Sequence, residues 1–184
     1  MTVASSPREV LAFWFGPDMG MAQWFGADPA FDAQVGAVLG PVAREAAAGR
    51  CDDWQAPPEG SLALVLLLDQ VPRNTRRGTA AAFAQDAKAR AVARSALQQG
   101  HDLAIDPSRR LFLYLPFEHS ENLADQLLSE ALFATFGDKD LLFYATRHRE
   151  IVERFGRFPH RNTALGRGTT AAEGQFLNDP HSSF

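Results

Sequence analysis

Leu62-Ala63-Leu64-Val65-Leu66-Leu67-Leu68-Asp69-Gln70-Val71-Pro72 is the stretch that decides the fold. Seven apolar residues run without interruption from Leu62 to Leu68. A membrane-spanning helix needs about 20, so this run is a helix buried within the protein. Being apolar all round, it is central rather than peripheral. Ser61 precedes it, and Pro72 is expected to end it.

Composition supports the helical reading outward from that run. Ala plus Leu total 50 of 184 residues, against 11 for Val plus Ile. β-Branched side chains suit strands, and Ala and Leu suit helices. No segment alternates polar and apolar residues cleanly, so no strand is expected. Local signals punctuate the helices. Ser6-Pro7-Arg8-Glu9 is a capping box with proline at the first helical position. Asp28-Pro29, Asp86, Asp106-Pro107 and Asp138 are further starts, and Thr170 with Glu173 forms a last capping box. Gly49, Gly100, Gly137 and Gly156 are stops. Gly40-Pro41 predicts a break in the second long pattern, and Pro116 predicts a break before a helix running from about Glu121 to Phe136. The expectation is one all-α domain over residues 1–184, with seven to nine helices joined as antiparallel hairpins.

Charge and cysteine content exclude several functions. The net charge is −4. A general nucleic-acid binder needs a basic surface to displace counterions, so no nucleic acid is expected. Cys51 is the single cysteine, which forbids an intramolecular disulfide and fits a reducing compartment. Met1–Ser6 carries no basic-then-apolar leader. These readings predict a soluble cytoplasmic protein with no membrane partner. The average charge hides an asymmetry: Leu141–Gly168 holds six arginines against Glu150 and Glu153, a local +4.

Polar side chains placed on apolar faces mark the candidate site. Asp69 lies three residues after Leu66 and Gln70 three after Leu67, so both face the interior. A buried carboxylate needs a partner, and Arg73 stands one turn on. A purely structural Asp–Arg pair accounts for the same spacing. Leu111–Phe117 spills into Glu118-His119-Ser120-Glu121. Two carboxylates around His119 could orient one ring nitrogen and raise its basicity, whereas Ser120 could simply cap the next helix. His148 lies seven residues from both Leu141 and Phe155, on the apolar stripe of its helix. It reads as a base or as a satisfied core histidine. Arg157, His160, Arg161 and Asn162 surround Pro159 at the start of a short helix, where arginine forks and backbone N–H groups suit an anion. A solvated loop with arginines stacked on Phe155 and Phe158 is the alternative.

No Gly-rich phosphate loop, GxSxG elbow, HExxH or cysteine pair is present. Hence no cofactor is expected. The histidines at 119, 148 and 160 with Asp69, Glu118 and Glu121 match no metal-ligand spacing, so no metal is expected either.

Longer motifs add a resemblance. Trp14-Phe15-Gly16, Trp24-Phe25, Leu67-Leu68-Asp69-Gln70 with Pro72-Arg73-Asn74, Tyr114 to Glu121, Asp125-Gln126, Arg147-His148 and Arg154 to Asn162 together resemble the bacterial uncharacterised family DUF924, from about Glu9 to Leu177. The resemblance implies an all-helical fold similar to tetratricopeptide-repeat proteins, and it implies no activity. Val71 stands where the family usually has Phe, and Pro41 interrupts the second helix.

Four functions fit these residues. One is binding of a small anion by Arg73, Arg157 and Arg161, with Asp69, Gln70, Asn74, Glu121, His160 and Asn162 beside them. Another is a hydrolase or lyase with His119 or His148 as base, oriented by Glu118 or Asp69. The third is a peptide-binding module, and the fourth a set of buried networks that only fix packing.

Overall fold

Ser6 and Pro7 start the first helix as their side chains dictate. The Ser6 hydroxyl accepts the Glu9 N–H at 3.4 Å, and Pro7 occupies the first turn. The Glu9 carboxylate turns to the Ser5 N–H at 2.7 Å, so the expected capping box forms by half. In the computed structural model, which describes residues 2–180 and 182, every regular element is helical and no strand occurs among the described residues.

The elements run α1 (Pro7–Trp14), α2 (Met21–Phe25), α3 (Pro29–Val38), α4 (Gly40–Ala47), α5 (Pro58–Val65), α6 (Val71–Thr75), α7 (Asp86–Gln98), α8 (His101–Ala104), α9 (Pro107–Glu118), α10 (Leu123–Ala134), α11 (Lys139–Phe155) and α12 (Ala171–Phe176). That number exceeds the seven to nine expected. The surplus comes from the short helices α2, α6 and α8. No helix among the described residues is long and apolar enough to cross a membrane.

Most starts and stops follow the local chemistry. Asp28 accepts the Ala30 N–H at 2.8 Å, and Asp138 accepts the N–H groups of Asp140 and Leu141 at 2.9 and 3.1 Å. Both arms of the Thr170–Glu173 capping box are present. The break at Gly40-Pro41 separates α3 from α4. Three expectations need correction. The central helix does not end at Pro72. It begins at Pro58 and continues through a π-helical turn, Leu66–Gln70, into α6. Pro72 lacks the N–H that Leu68 O would accept, and its ring would press on that carbonyl. The wider π register, with Val71 N–H bonded to Leu66 O, opens the turn ahead of it. Pro116 does not break α9, which continues to Glu118; so near the end, proline removes one bond only. Ser120 does not cap the following helix. Asn122 does, accepting the N–H groups of Ala124 and Asp125.

The helices gather into two compact units, Met1–Arg77 with Ala81–Pro116 and Gly78–Ala80 with Phe117–Phe184. In the first, every side chain from Leu62 to Gln70 is buried. Trp14, Phe15, Trp24 and Phe25 surround the Phe112 ring at centroid distances of 5.1–6.2 Å, and Trp24 Nε1 donates to Trp14 O at 2.9 Å. In the second, α10 and α11 pair across the turn at residues 135–138. Ile151, Val152, Phe158 and Phe176 form its apolar core. Gly156 ends α11 at φ 68°, in the left-handed region.

Leu67, fully buried, is expected to cost about 2–5 kcal/mol when cut to alanine, read from urea unfolding; a loss below about 1 kcal/mol would contradict its central place. A Cβ on Gly156 would meet nothing within 4 Å. Gly156→Ala therefore carries only the backbone penalty, about 1–2 kcal/mol, with spectra otherwise unchanged.

Candidate functional site

The first unit absorbs the polar residues of the π-helical turn into a closed network. Asp69, fully buried, meets Arg73 Nη1 at 3.1 Å and accepts from Gln70 Nε2 at 2.7 Å. Arg73 also grips Asp86 with both terminal nitrogens, at 2.9 and 3.0 Å. Burial opposes the charge on Arg73, but Asp69 and Asp86 override it and raise its pKa. Asn74 Nδ2 donates to Asp32 at 2.8 Å, and Arg77 holds the same carboxylate. Asp69, Gln70, Arg73 and Asn74 thus tie α3, α6 and α7 together.

The second unit is built around the C-terminus of α9. The last carbonyls of a helix lack intrahelical donors, and here they are buried with Glu118 and Ser120. Gln126 Nε2, on α10, reaches the carbonyls of Glu118 and Ser120 at 2.6 Å each and that of Phe117 at 3.4 Å. Arg161 Nη1 donates to the His119 carbonyl at 3.0 Å. Its positive charge suits the negative end of the helix dipole. Ser120 Oγ donates to Asp125 at 2.8 Å and accepts the Asn122 N–H at 3.2 Å. The turn carrying Glu118 and His119 is therefore fixed from three sides.

His148 completes this arrangement. It is 4 % exposed, as its place on the apolar stripe of α11 requires. Nδ1 lies 2.8 Å from the Tyr144 carbonyl and 3.2 Å from Glu118 Oε1. A carbonyl can only accept, so Nδ1 carries the hydrogen and Nε2 is the basic nitrogen of the neutral ring. Burial holds the pKa of His148 well below its ordinary value; the neighbouring His119, Arg161 and His160 lower it further. The Phe158 ring stands edge-on to His148 at 5.5 Å and carries the Arg161 guanidinium over its face at 4.5 Å. His119 lies 6.4 Å from His148, centroid to centroid. His160 lies 5.6 Å from Phe158, and burial with Arg161 pushes its pKa down to about 4. His119 and His160 are half-buried, and Glu118, His148 and Arg161 are buried, so solvent reaches the cluster at the first two.

The carboxylates flanking His119 have other partners. Glu118 belongs to His148. Glu121 accepts both Nη groups of Arg167, at 2.7 and 3.0 Å, and the Phe158 N–H at 2.8 Å. Burial opposes its ionisation, yet Arg167 and that N–H hold its pKa below the ordinary value. Asn162 Oδ1 accepts from Arg167 Nε at 3.1 Å. Arg157 pairs with Glu173 at 2.7 and 3.0 Å, which, with the Thr170 N–H, brings the Glu173 pKa down to about 2. Arg73, Arg157 and Arg161 are each engaged with different partners, which leaves Arg161 as the arginine of the histidine cluster. Sequence reasoning did not single out Gln126 as a carbonyl clamp or Arg167 as the holder of Glu121. Gln126 sat within the Asp125-Gln126 motif; Arg167, between two glycines, gave no periodic signal.

Chemically, the cluster joins an oriented neutral imidazole to fixed positive charge. Such a pair can bind an anion and accept a proton from it or from water. Among the described residues no three His, Cys, Asp or Glu side chains stand as a metal-binding group.

The chain matches the family described as "Bacterial protein of unknown function (DUF924)" over residues 10–181. A solved structure of a protein of unknown function from Agrobacterium tumefaciens is 44% identical, covers 93% of this chain and 96% of its own, and superposes with a TM-score of 0.87. No curated protein matches the chain. With a family match spanning nearly every element described above, the chain belongs to the DUF924 family.

Proposed function

We propose that the second unit binds a small anionic molecule, a carboxylate or a phosphate compound, beside His119, His160 and Arg161, and that His148 acts on it as a general base in a hydrolase or lyase reaction. One observation carries this reading: His148 Nδ1 donates to Tyr144 O at 2.8 Å with Glu118 Oε1 3.2 Å from the same nitrogen, which directs the basic nitrogen away from both. Glu118 also supplies the charge that stabilises the imidazolium once a proton is taken. A strongly lowered pKa makes a resting histidine a poor base near neutral pH. An arriving anion offsets the positive neighbours, the smaller part of that lowering, and so raises its basicity, coupling binding to base strength.

The reading includes a cytoplasmic setting, supported by the lone cysteine, Cys51, which is buried and reduced. It also includes a tetratricopeptide-like stacking of antiparallel hairpins, supported by the α10–α11 pair and its short turn. Peptide binding has no comparable observation in its favour.

A thermal-shift screen of di- and tricarboxylates and phosphate monoesters tests the site. At least one compound should raise the melting temperature by several degrees, and the shift should shrink in His160→Gln and Arg161→Lys. His148→Gln should retain the shift but lose turnover of that compound. A shift that persists in both of those variants, or none for any compound, contradicts the proposal.

Acid stability gives a second test. His148 and His160 have lowered folded-state pKa values, the latter about 4. The unfolded histidines take up protons near pH 6.5, about where the folded ones do not. Their contribution is therefore complete above about pH 6.5 and is lost as pH falls toward about 4. Urea midpoints at about pH 7.5 and about pH 5 should differ, and His160→Gln should reduce the difference. An unchanged difference would show that His160 does not titrate as described.

A further inference from the structure

The first unit contains a cleft of about 550 Å³ among α1, α5 and α9. Leu11, Ala12 and Phe15 supply apolar wall, and Arg8, Glu59 and Arg109 supply charge. Arg109 places its guanidinium over the Phe15 ring at 4.7 Å, so a planar cation is held against the apolar surface. Elsewhere in this unit arginines are neutralised at close range: Arg50 by Glu45, Arg73 by Asp69 and Asp86, Arg77 by Asp32. Arg8 and Arg109 stand in no such close ion pair among the described residues, Asp106 acting on Arg109 only through space. Two cations outside any close ion pair, at one mostly apolar cleft, are complementary to an anion with an apolar body.

The surrounding backbone reinforces that charge preference. The residues lining the cleft include the first turns of α1 and α5, and Arg109 lies in the first turn of α9. First-turn N–H groups lack intrahelical acceptors, and the helix dipole adds positive potential there. Glu59 leaves the lining side chains at a formal +1, and Asp106 near Arg109 lowers the field further, which favours a monoanion over a polyanion such as a phosphate ester.

We propose that this cleft is a binding site for a small amphipathic monocarboxylate, with its carboxylate on Arg8 and Arg109 and its aromatic or aliphatic body against Leu11, Ala12 and Phe15. It depends on no residue of the second unit and stands or falls separately from the His148 reading.

Fluorine NMR of the full chain with 4-fluorophenylacetate, and calorimetry with octanoate, test the site. At least one acid should bind saturably at low millimolar concentration or below. The neutral 4-fluorophenylacetamide should bind roughly tenfold more weakly, as should the acids to Arg8→Gln and to Arg109→Gln, the loss of one charge-assisted contact. Arg8 is exposed, so its substitution leaves the fold intact and keeps the test valid should Arg109→Gln unfold. Arg161→Lys should leave the affinity unchanged. The proposal is overturned by saturable binding of neither acid, by equal affinity of the amide, by binding indifferent to Arg8→Gln, or by inorganic phosphate competing as well as the acids do.

Discussion

Helix α9 ends inside the protein, and the carbonyls it leaves there must find donors. A buried carbonyl without one costs about 1–3 kcal/mol; Phe117 O accepts the Ser120 N–H at 3.1 Å, and Glu118, His119 and Ser120 present the problem together. Gln126 answers those of Glu118 and Ser120 with the two hydrogens of its amide nitrogen, and Arg161 answers that of His119. The second unit is arranged around this need. It draws α10 against the end of α9, places the short turn Pro159–Arg161 beside it, and fixes the backbone from which Glu118 and His119 project.

Charge follows from that arrangement. A cation at the helix terminus is favoured by the dipole, but it also raises the cost of any further positive charge nearby. His148 and His160 consequently have lowered pKa values, with burial as the main cause and Arg161 a contributor. Glu118 Oε1 lies 3.2 Å from His148 Nδ1. The ring is oriented by a carboxylate and a carbonyl at one nitrogen while burial, aided by its neighbours, holds it neutral. The first unit treats its polar residues differently. Asp69, Arg73 and Asp86 neutralise one another, and Asn74 and Arg77 do the same for Asp32. Its polar motif holds helices together, as the structural reading of the Asp69–Arg73 spacing anticipates.

Local chemistry was readable from the residues, and long-range pairing was not. Asp28-Pro29, Asp138, Thr170 with Glu173, and Gly156 act within a turn of themselves, so their helix boundaries are written in short segments. The burial of His148 was visible because a spacing of seven returns a side chain to the same helix face. Pro72 and Pro116 misled because a proline's effect depends on what surrounds it: a π register in one case, a nearby helix end in the other. Glu118 stands next to His119 in sequence yet serves His148, thirty residues on, because the turn after α9 directs the two side chains to different neighbours. Arg167 was invisible for a related reason. It lies in a loop between Gly166 and Gly168, and only the folded chain brings it to Glu121 and Asn162.

The tautomer of His148 is where fold and proposed chemistry meet, and side-chain nitrogen NMR reads it directly. Long-range ¹H–¹⁵N correlation spectra of the full chain near neutral pH should show His148 neutral, with its hydrogen on Nδ1 and an unprotonated Nε2. A spectrum showing the hydrogen on Nε2, or a doubly protonated ring, would contradict the account, since the Tyr144 carbonyl and Glu118 would then not be orienting a neutral base.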